Sequence, residues 1–232
     1  MRPTLLLTPL FFVLPLGGLP AEARGESPLL RLLTQGEMLL RQGKIDGALA
    51  AFTAAVKANP KDARPYYQRG VCYEQQKNVT AARADFEQAL RLDGKFAEAH
   101  NNLGALLHEA GKEESAAEGH LRQAVRLRPE YGEAWYNLGL VLYQTGRFSD
   151  AATAYRHAAR LKPDDVDVRI NLGGALRQLD DLAGALLQLR MAARLAPNDA
   201  MARYSHGALL AERRQDKEAE TELQAAVRID PT

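Results

Sequence analysis

Six glycines, Gly36, Gly70, Gly104, Gly139, Gly173 and Gly207, recur at intervals of 34, 34, 35, 34 and 34 residues. A single globular core gives no reason for such a beat, whereas a stack of like supersecondary units requires it. Two alanine series keep the same period: Ala48, Ala82, Ala117, Ala151, Ala185 and Ala219, then Ala55, Ala89, Ala124, Ala158, Ala192 and Ala226. Pro60, Pro129, Pro163, Pro197 and Pro231 close the units, with Gly94 standing in once. Proline and glycine there stop a helix. The odd interval of 35 places one inserted residue in the turn Gly111-Lys112-Glu113-Glu114-Ser115, since insertions belong in turns.

Inside a unit the spacing predicts two helices. In the fourth, Trp135, Leu138, Gly139 and Leu142 fall at i, i+3, i+4 and i+7, and Ala151, Tyr155, Ala158 and Ala159 at i, i+4, i+7 and i+8. Thr145-Gly146-Arg147 separates them. Small residues on both stripes allow close approach, and large residues of one stripe fill the gaps of the other. Trp135, the only tryptophan, is expected to fill a core slot between units three and four.

Trp135, Leu138-Gly139, Leu142, Ala151, Tyr155, Ala158 and Pro163 in unit four, and Leu32, Gln35-Gly36, Leu39, Ala48, Phe52, Ala55 and Pro60 in unit one, resemble the tetratricopeptide repeat. Gln35, Arg69 and His206 depart from it where the family has leucine. The resemblance implies an all-α, right-handed superhelical α-solenoid of six helix-turn-helix repeats at 29–62, 63–96, 97–131, 132–165, 166–199 and 200–232. The Asn-Leu-Gly and Tyr-Arg-His-Ala-Ala-Arg-Leu-Lys-Pro-Asp runs are similar to the repeat region of O-linked N-acetylglucosamine transferase. That likeness covers repeats only and carries no glycosyltransferase activity.

The N-terminus obeys other rules. Arg2, the apolar run from Leu5 to Leu19 and Ala21-Glu22-Ala23 before Arg24 read as a secretory signal over residues 1–23, followed by a short lead-in at 24–28. Pro9 and Pro15 interrupt the run and Pro20 follows it, and it falls short of the roughly 20 residues of a membrane span. An exported protein, periplasmic or secreted, is expected, with no membrane span once the signal is cleaved.

Thirty basic against 29 acidic residues give a net charge of +1, which lacks the electrostatic footprint of nucleic-acid binding. The one cysteine, Cys72, reads as a packed thiol. Asn78-Val79-Thr80 matches a glycosylation sequon. No phosphate loop, nucleophile elbow or H-E-x-x-H zinc motif is present. The histidines read as a packed His100, in the place of Trp135, and solvated His108 and His157. No catalytic residue, metal site or cofactor is expected.

In this family the first helix of each unit lines an inner groove. The residues two before the glycines are Thr34, Gln68, Asn102, Asn137, Asn171 and Ser205. A carboxamide both donates and accepts, so successive asparagines suit the backbone of an extended peptide, and adjacent tyrosines supply contact area. The expected peptide groove is Asn102, Asn137, Asn171, Gln68, Tyr67, Tyr136, Tyr143 and His108; the other reading is that the asparagines tie neighbouring helices together. Where the family's chaperone-tail clamp needs lysine, asparagine and arginine, this chain has Leu33, Glu37, Glu98 and Asn102, so that clamp is not expected. The whole reads as a non-enzymatic scaffold for a protein or extended peptide in bacterial envelope assembly or secretion. The alternatives are a self-assembling adaptor that forms homo-oligomers through the array's ends, and an accessory subunit delivering substrates to a separate enzyme.

Overall fold

The computed structural model describes residues 27–111 and 113–231, and within them the regular structure is twelve α-helices. They are α1 (Pro28–Arg41), α2 (Ile45–Ala58), α3 (Ala63–Gln75), α4 (Val79–Leu92), α5 (Ala97–Ala110), α6 (Glu114–Leu127), α7 (Gly132–Gln144), α8 (Phe148–Leu161), α9 (Val166–Gln178), α10 (Leu182–Leu195), α11 (Ala200–Glu212) and α12 (Asp216–Ile229). The signal-like residues 1–23 lie outside the described residues. Helices α1–α6 form one compact unit and α7–α12 another. Within each unit, odd and even helices pair as hairpins, and each even helix packs on the next odd one. This is the all-α helical repeat that the spacing predicts.

The glycine series has a steric cause. A Cβ on Gly70 would lie 2.7 Å from Cε1 of Phe86, and one on Gly104 would lie 2.7 Å from Cγ of Leu121. Phe52, Tyr155, Leu189 and Leu223 crowd Gly36, Gly139, Gly173 and Gly207 in the same way. Each hairpin therefore seats one large side chain of its second helix on bare backbone of its first. That contact is available only to glycine.

Two further series are invisible in the residue types. The turn inside each hairpin holds a residue at positive φ: Gly43, Lys77, Gly111, Gly146, Asp180 and Arg214. Three of the six are not glycine, so the 34-residue beat is masked there. In the third repeat α6 begins three residues after the positive-φ residue instead of two, and Glu113 receives a hydrogen bond of 3.1 Å from Arg83 Nη2.

The second series caps the carbonyl left open at each repeat junction. Tyr66 Oη donates to Pro60 O at 3.3 Å, Trp135 Nε1 to Pro129 O at 2.8 Å, Arg169 Nε to Pro163 O at 2.9 Å and Arg203 Nε to Pro197 O at 3.0 Å. His100 Nε2 meets Gly94 O at 3.3 Å. Tyr, Trp, Arg and His share nothing in hydropathy, only a donor at the edge of a planar group. Trp135 is corrected accordingly. It is half-exposed, stacked on His157 with ring centres 4.2 Å apart, because its indole N–H must reach a carbonyl at the surface. That ring covers one face of His157, which stays partly exposed and meets Arg160 Nη2 at 2.9 Å.

The departures from leucine at Arg69 and His206 also find their reason. Arg69 donates two bonds of 2.7 Å to Asp85 on α4, and Glu222 on α12 takes Arg203 at 2.7 Å with His206 beside it at 3.5 Å. The same place on the second helix is His120 in α6 and Gln188 in α10, which face His100 and Arg169 at 2.9 and 3.0 Å. Four hairpins thus close on a polar pair where the repeat pattern has apolar residues. Each of these four pairs compensates the polar side chains it takes from water, whereas the buried Nδ1 of His206 approaches Glu222 without a hydrogen bond.

Candidate binding face

The odd helices meet side by side along one face of each unit. In the second unit Asn171 Nδ2 donates to Tyr136 Oη at 3.1 Å and to Asp167 O at 2.9 Å, and Arg177 Nε reaches Glu212 at 2.7 Å. The Tyr136 bond runs α9 to α7 and the Glu212 bond α9 to α11, while the Asp167 bond stays within α9. In the first unit Glu37 lies near Arg64 across α1 and α3, and Glu74 near Glu109 across α3 and α5.

Of the eight side chains expected in a peptide groove, four are buried. Asn102 is 5% exposed and accepts a bond from Asn101 Nδ2 at 3.1 Å; Asn137 is wholly buried. Tyr67 packs on Phe86 and Phe96, and Tyr136 on Tyr155. The expectation that Asn102 and Asn137 line an open groove is corrected by their burial. At Asn171 the geometry gives the reason: the residue two before the glycine points at the neighbouring odd helix, where the carboxamide finds the Tyr136 hydroxyl, and it also donates to Asp167 O one turn back in its own helix. Asn171, Gln68, Tyr143 and His108 keep partial exposure. His108 is held at 2.9 Å from Glu114 with an 11% exposed side chain, so it is not the solvated residue expected from sequence.

The accessible part of the second unit's face is more apolar than its asparagines suggest. Tyr204 is 57% and Met201 47% exposed on α11, with Ile170, Gly174 and Asn171 of α9 and Tyr143 of α7 partly open. A Cβ on Gly174 would meet only Tyr143, 3.8 Å from its hydroxyl, so the floor there is low. The first unit's face is instead carboxylate-rich. Burial raises the Glu37 pKa against the pull of Arg41 and Arg64, and burial with the Glu109 charge pushes Glu74 up to about 8. Glu74 is therefore largely protonated at neutral pH. Sequence reasoning missed Glu74, Glu109 and Met201; the signal available was their place on the odd helices, one turn from the glycine stripe or at the helix start.

Elsewhere the chemistry is quiet. Cys72 is fully buried and its thiol is pushed up to about 12 by burial, which makes it unreactive. Asn78 caps α4, accepting from Ala81 N at 3.2 Å, so the sequon has a structural use. Among the described residues no three His, Cys, Asp or Glu side chains converge as metal ligands, and no helix is long and apolar enough to cross a membrane.

Residues 17–230 match the family model of the cilia and flagella-associated protein 70 C-terminal domain. The soybean Hsp70-Hsp90 organizing protein 1 is 33% identical over 72 residues, 31% of this chain but 13% of that protein. A co-chaperone of Cryptococcus neoformans with tetratricopeptide repeats and a J domain is 30% identical over 81 residues, 35% of this chain and 16% of its own. The chain thus spans only a small part of the curated relatives it matches. Among solved structures, YrrB, described as a tetratricopeptide-repeat protein with an unusual peptide-binding site, is 28% identical, with a TM-score of 0.68 over 78% of this chain and 93% of its own. Pseudomonas aeruginosa pilF is 21% identical, with a TM-score of 0.78 over 88% and 92%; at that identity the likeness is one of fold.

Proposed function

The chain belongs to the tetratricopeptide-repeat family, and on that premise we propose that it is a non-enzymatic scaffold that binds an extended peptide or partner segment on its odd-helix face. Proteins of this family are in general interaction scaffolds without catalytic groups. The observation that carries the finer reading is the open apolar strip of Tyr204, Met201, Ile170 and Tyr143 beside Asn171, the accessible one of the three groove asparagines. Tyrosine gives large contact area at little entropic cost, and the carboxamide and hydroxyl beside it offer backbone partners to an extended chain. The peptide-binding site for which YrrB is described is the same kind of use. The carboxylates at Glu37 and Glu98 argue against a chaperone's acidic tail as the ligand, in spite of the organizing-protein likeness. The expected partner is a protein segment rather than nucleic acid, since the net charge is +1.

Selection of random peptides on the purified protein, followed by titration, tests this. Tyr204→Ser and Ile170→Ser together are expected to weaken a selected peptide by more than about tenfold, since a single well-packed anchor is worth upwards of about 1 kcal/mol. Selection of no peptide, or binding unchanged by both substitutions, would move the site elsewhere.

We place this scaffold outside the cytoplasm, in bacterial envelope assembly or secretion, on the strength of Arg2, the Leu5 to Leu19 run and Ala21-Glu22-Ala23. N-terminal sequencing of the exported fraction is expected to find a start near Arg24, and intact Met1 in the membrane pellet would replace export with tethering. A second reading, self-association through the α12 end, is favoured by Val227 and Ile229, exposed beside a 440 Å³ hollow lined by Leu223, Gln224, Val227 and Arg228. Sedimentation over a wide concentration range distinguishes monomer from homo-oligomer. Delivery of substrates to a separate enzyme is compatible with the same peptide-binding face.

A further inference from the structure

We propose that His100 and His120 share one proton as a latch across α5 and α6, and that this latch makes the third hairpin the acid-sensitive joint of the first unit. The two Nδ1 atoms are 2.9 Å apart and the ring centres 5.2 Å. That centre distance is the nitrogen separation lengthened by one ring radius at each side, so the nitrogens point straight at one another. A hydrogen bond needs this head-on arrangement; a chelated metal would need both lone pairs to converge on a point off the line between them.

The junction cap fixes where the proton sits. Gly94 O can only accept, so His100 Nε2 carries a hydrogen, as do the donors of Tyr66, Trp135, Arg169 and Arg203 at the same place in their repeats. Neutral His100 then has a bare Nδ1, and the bond requires His120 to donate from its own Nδ1. The first added proton goes to His120 Nε2 and leaves the bond intact. A second has only His100 Nδ1 to occupy, where it would set two N–H groups against each other and part the helices.

The charged surroundings are Asp93, beside His100 at the start of the α4–α5 connection, and Glu87 and Arg83 of α4, facing His120. Arg83 is itself held by Glu87 and Glu113. Burial lowers both histidine pKa values; the Gly94 bond and Asp93 oppose it at His100, while the His100 ring adds to it and Glu87 opposes it at His120. With folded values below the unfolded one of about 6.5, the unfolded chain binds more protons. The stability that the neutral pair contributes is complete above about pH 6.5 and is lost as pH falls below it.

Nitrogen-15 NMR of the histidine rings in the full chain tests the assignment. The expected result is an Nε2–H tautomer for His100, an Nδ1–H tautomer for His120 and a joint titration displaced to low pH. Two ordinary, independent titrations near the reference value would overturn the proposal. The second test is His100→Trp with His120→Ala, which installs the Trp135 and Ala154 pair of the fourth hairpin and keeps the cap donor. Its first-unit melting midpoint is expected to lose about half as much as wild type or less between pH 7.5 and pH 5. A wild-type pH dependence in that variant would place the acid sensitivity on other groups, and should it fail to fold, the tautomers alone decide.

Discussion

Replacing Asn102, Asn137 and Asn171 together by alanine is expected to lower stability by about 3–6 kcal/mol, taking about 1–2 kcal/mol for each hydrogen-bonded carboxamide lost from a packed place. Were the asparagines groove contacts alone, the outcome would be the opposite, a loss of binding with folding intact. The difference is one of burial: Asn137 has no exposed surface and Asn102 almost none. Asn171 holds the hydroxyl of Tyr136 and the carbonyl of Asp167, so its loss strands a buried hydroxyl. Singly, Asn171→Ala should cost least, because this side chain keeps part of its surface in water. Urea unfolding followed by circular dichroism measures this. A triple variant as stable as wild type would show that the carboxamides are spectators in the packing. Peptide binding must then be read only in Asn171→Ala, where a fold-preserving loss of affinity would still count for the groove.

How far the fold is legible in the sequence depends on how narrowly each place constrains its residue. The glycines are legible because a Phe, Tyr or Leu ring or branch sits where their Cβ would be, and no other residue fits. The alanines facing the other helix are legible for the same reason. The hairpin turns are half legible: Lys77, Asp180 and Arg214 accept a left-handed φ that costs roughly 1–2 kcal/mol per residue, so the periodic signal drops out in three repeats. The junction cap is not legible at all by hydropathy, since Tyr66, His100, Trp135, Arg169 and Arg203 agree only in offering a donor.

The candidate face fared differently. Odd-helix placement picks out a face of each unit, and Gln68 and His108 in the first and Tyr143 and Asn171 in the second are partly open. Helical phase alone does not tell a residue that looks into a groove from one that looks at the next helix along the same face. Asn171 does the second while retaining some of the first. Glu74 shows the limit from the other direction: its sequence neighbours give no sign that burial and Glu109 hold it protonated near neutral pH.

Tyr155 is where sequence likeness and physical fit part company most. It is fully buried against Gly139 and Tyr136, and burial drives its hydroxyl well above the ordinary tyrosine range. That hydroxyl has no hydrogen-bond partner among the described residues. The first two hairpins use Phe52 and Phe86 in this place. Tyr155→Ala should therefore cost about 3–5 kcal/mol, the usual consequence of emptying an aromatic site in a core. The second unit is then expected to melt well below wild type. Tyr155→Phe keeps the ring on Gly139 and removes only the unpaired oxygen. It is expected to raise stability by about 1 kcal/mol, since an unsatisfied buried hydroxyl carries a desolvation penalty of about 1–3 kcal/mol. Thermal unfolding of the two variants beside wild type separates ring from hydroxyl. If Tyr155→Phe instead lowers the midpoint, the oxygen has a partner in solution, for which a buried water is the candidate, and the hairpin carries one more polar tie than the side chains alone display.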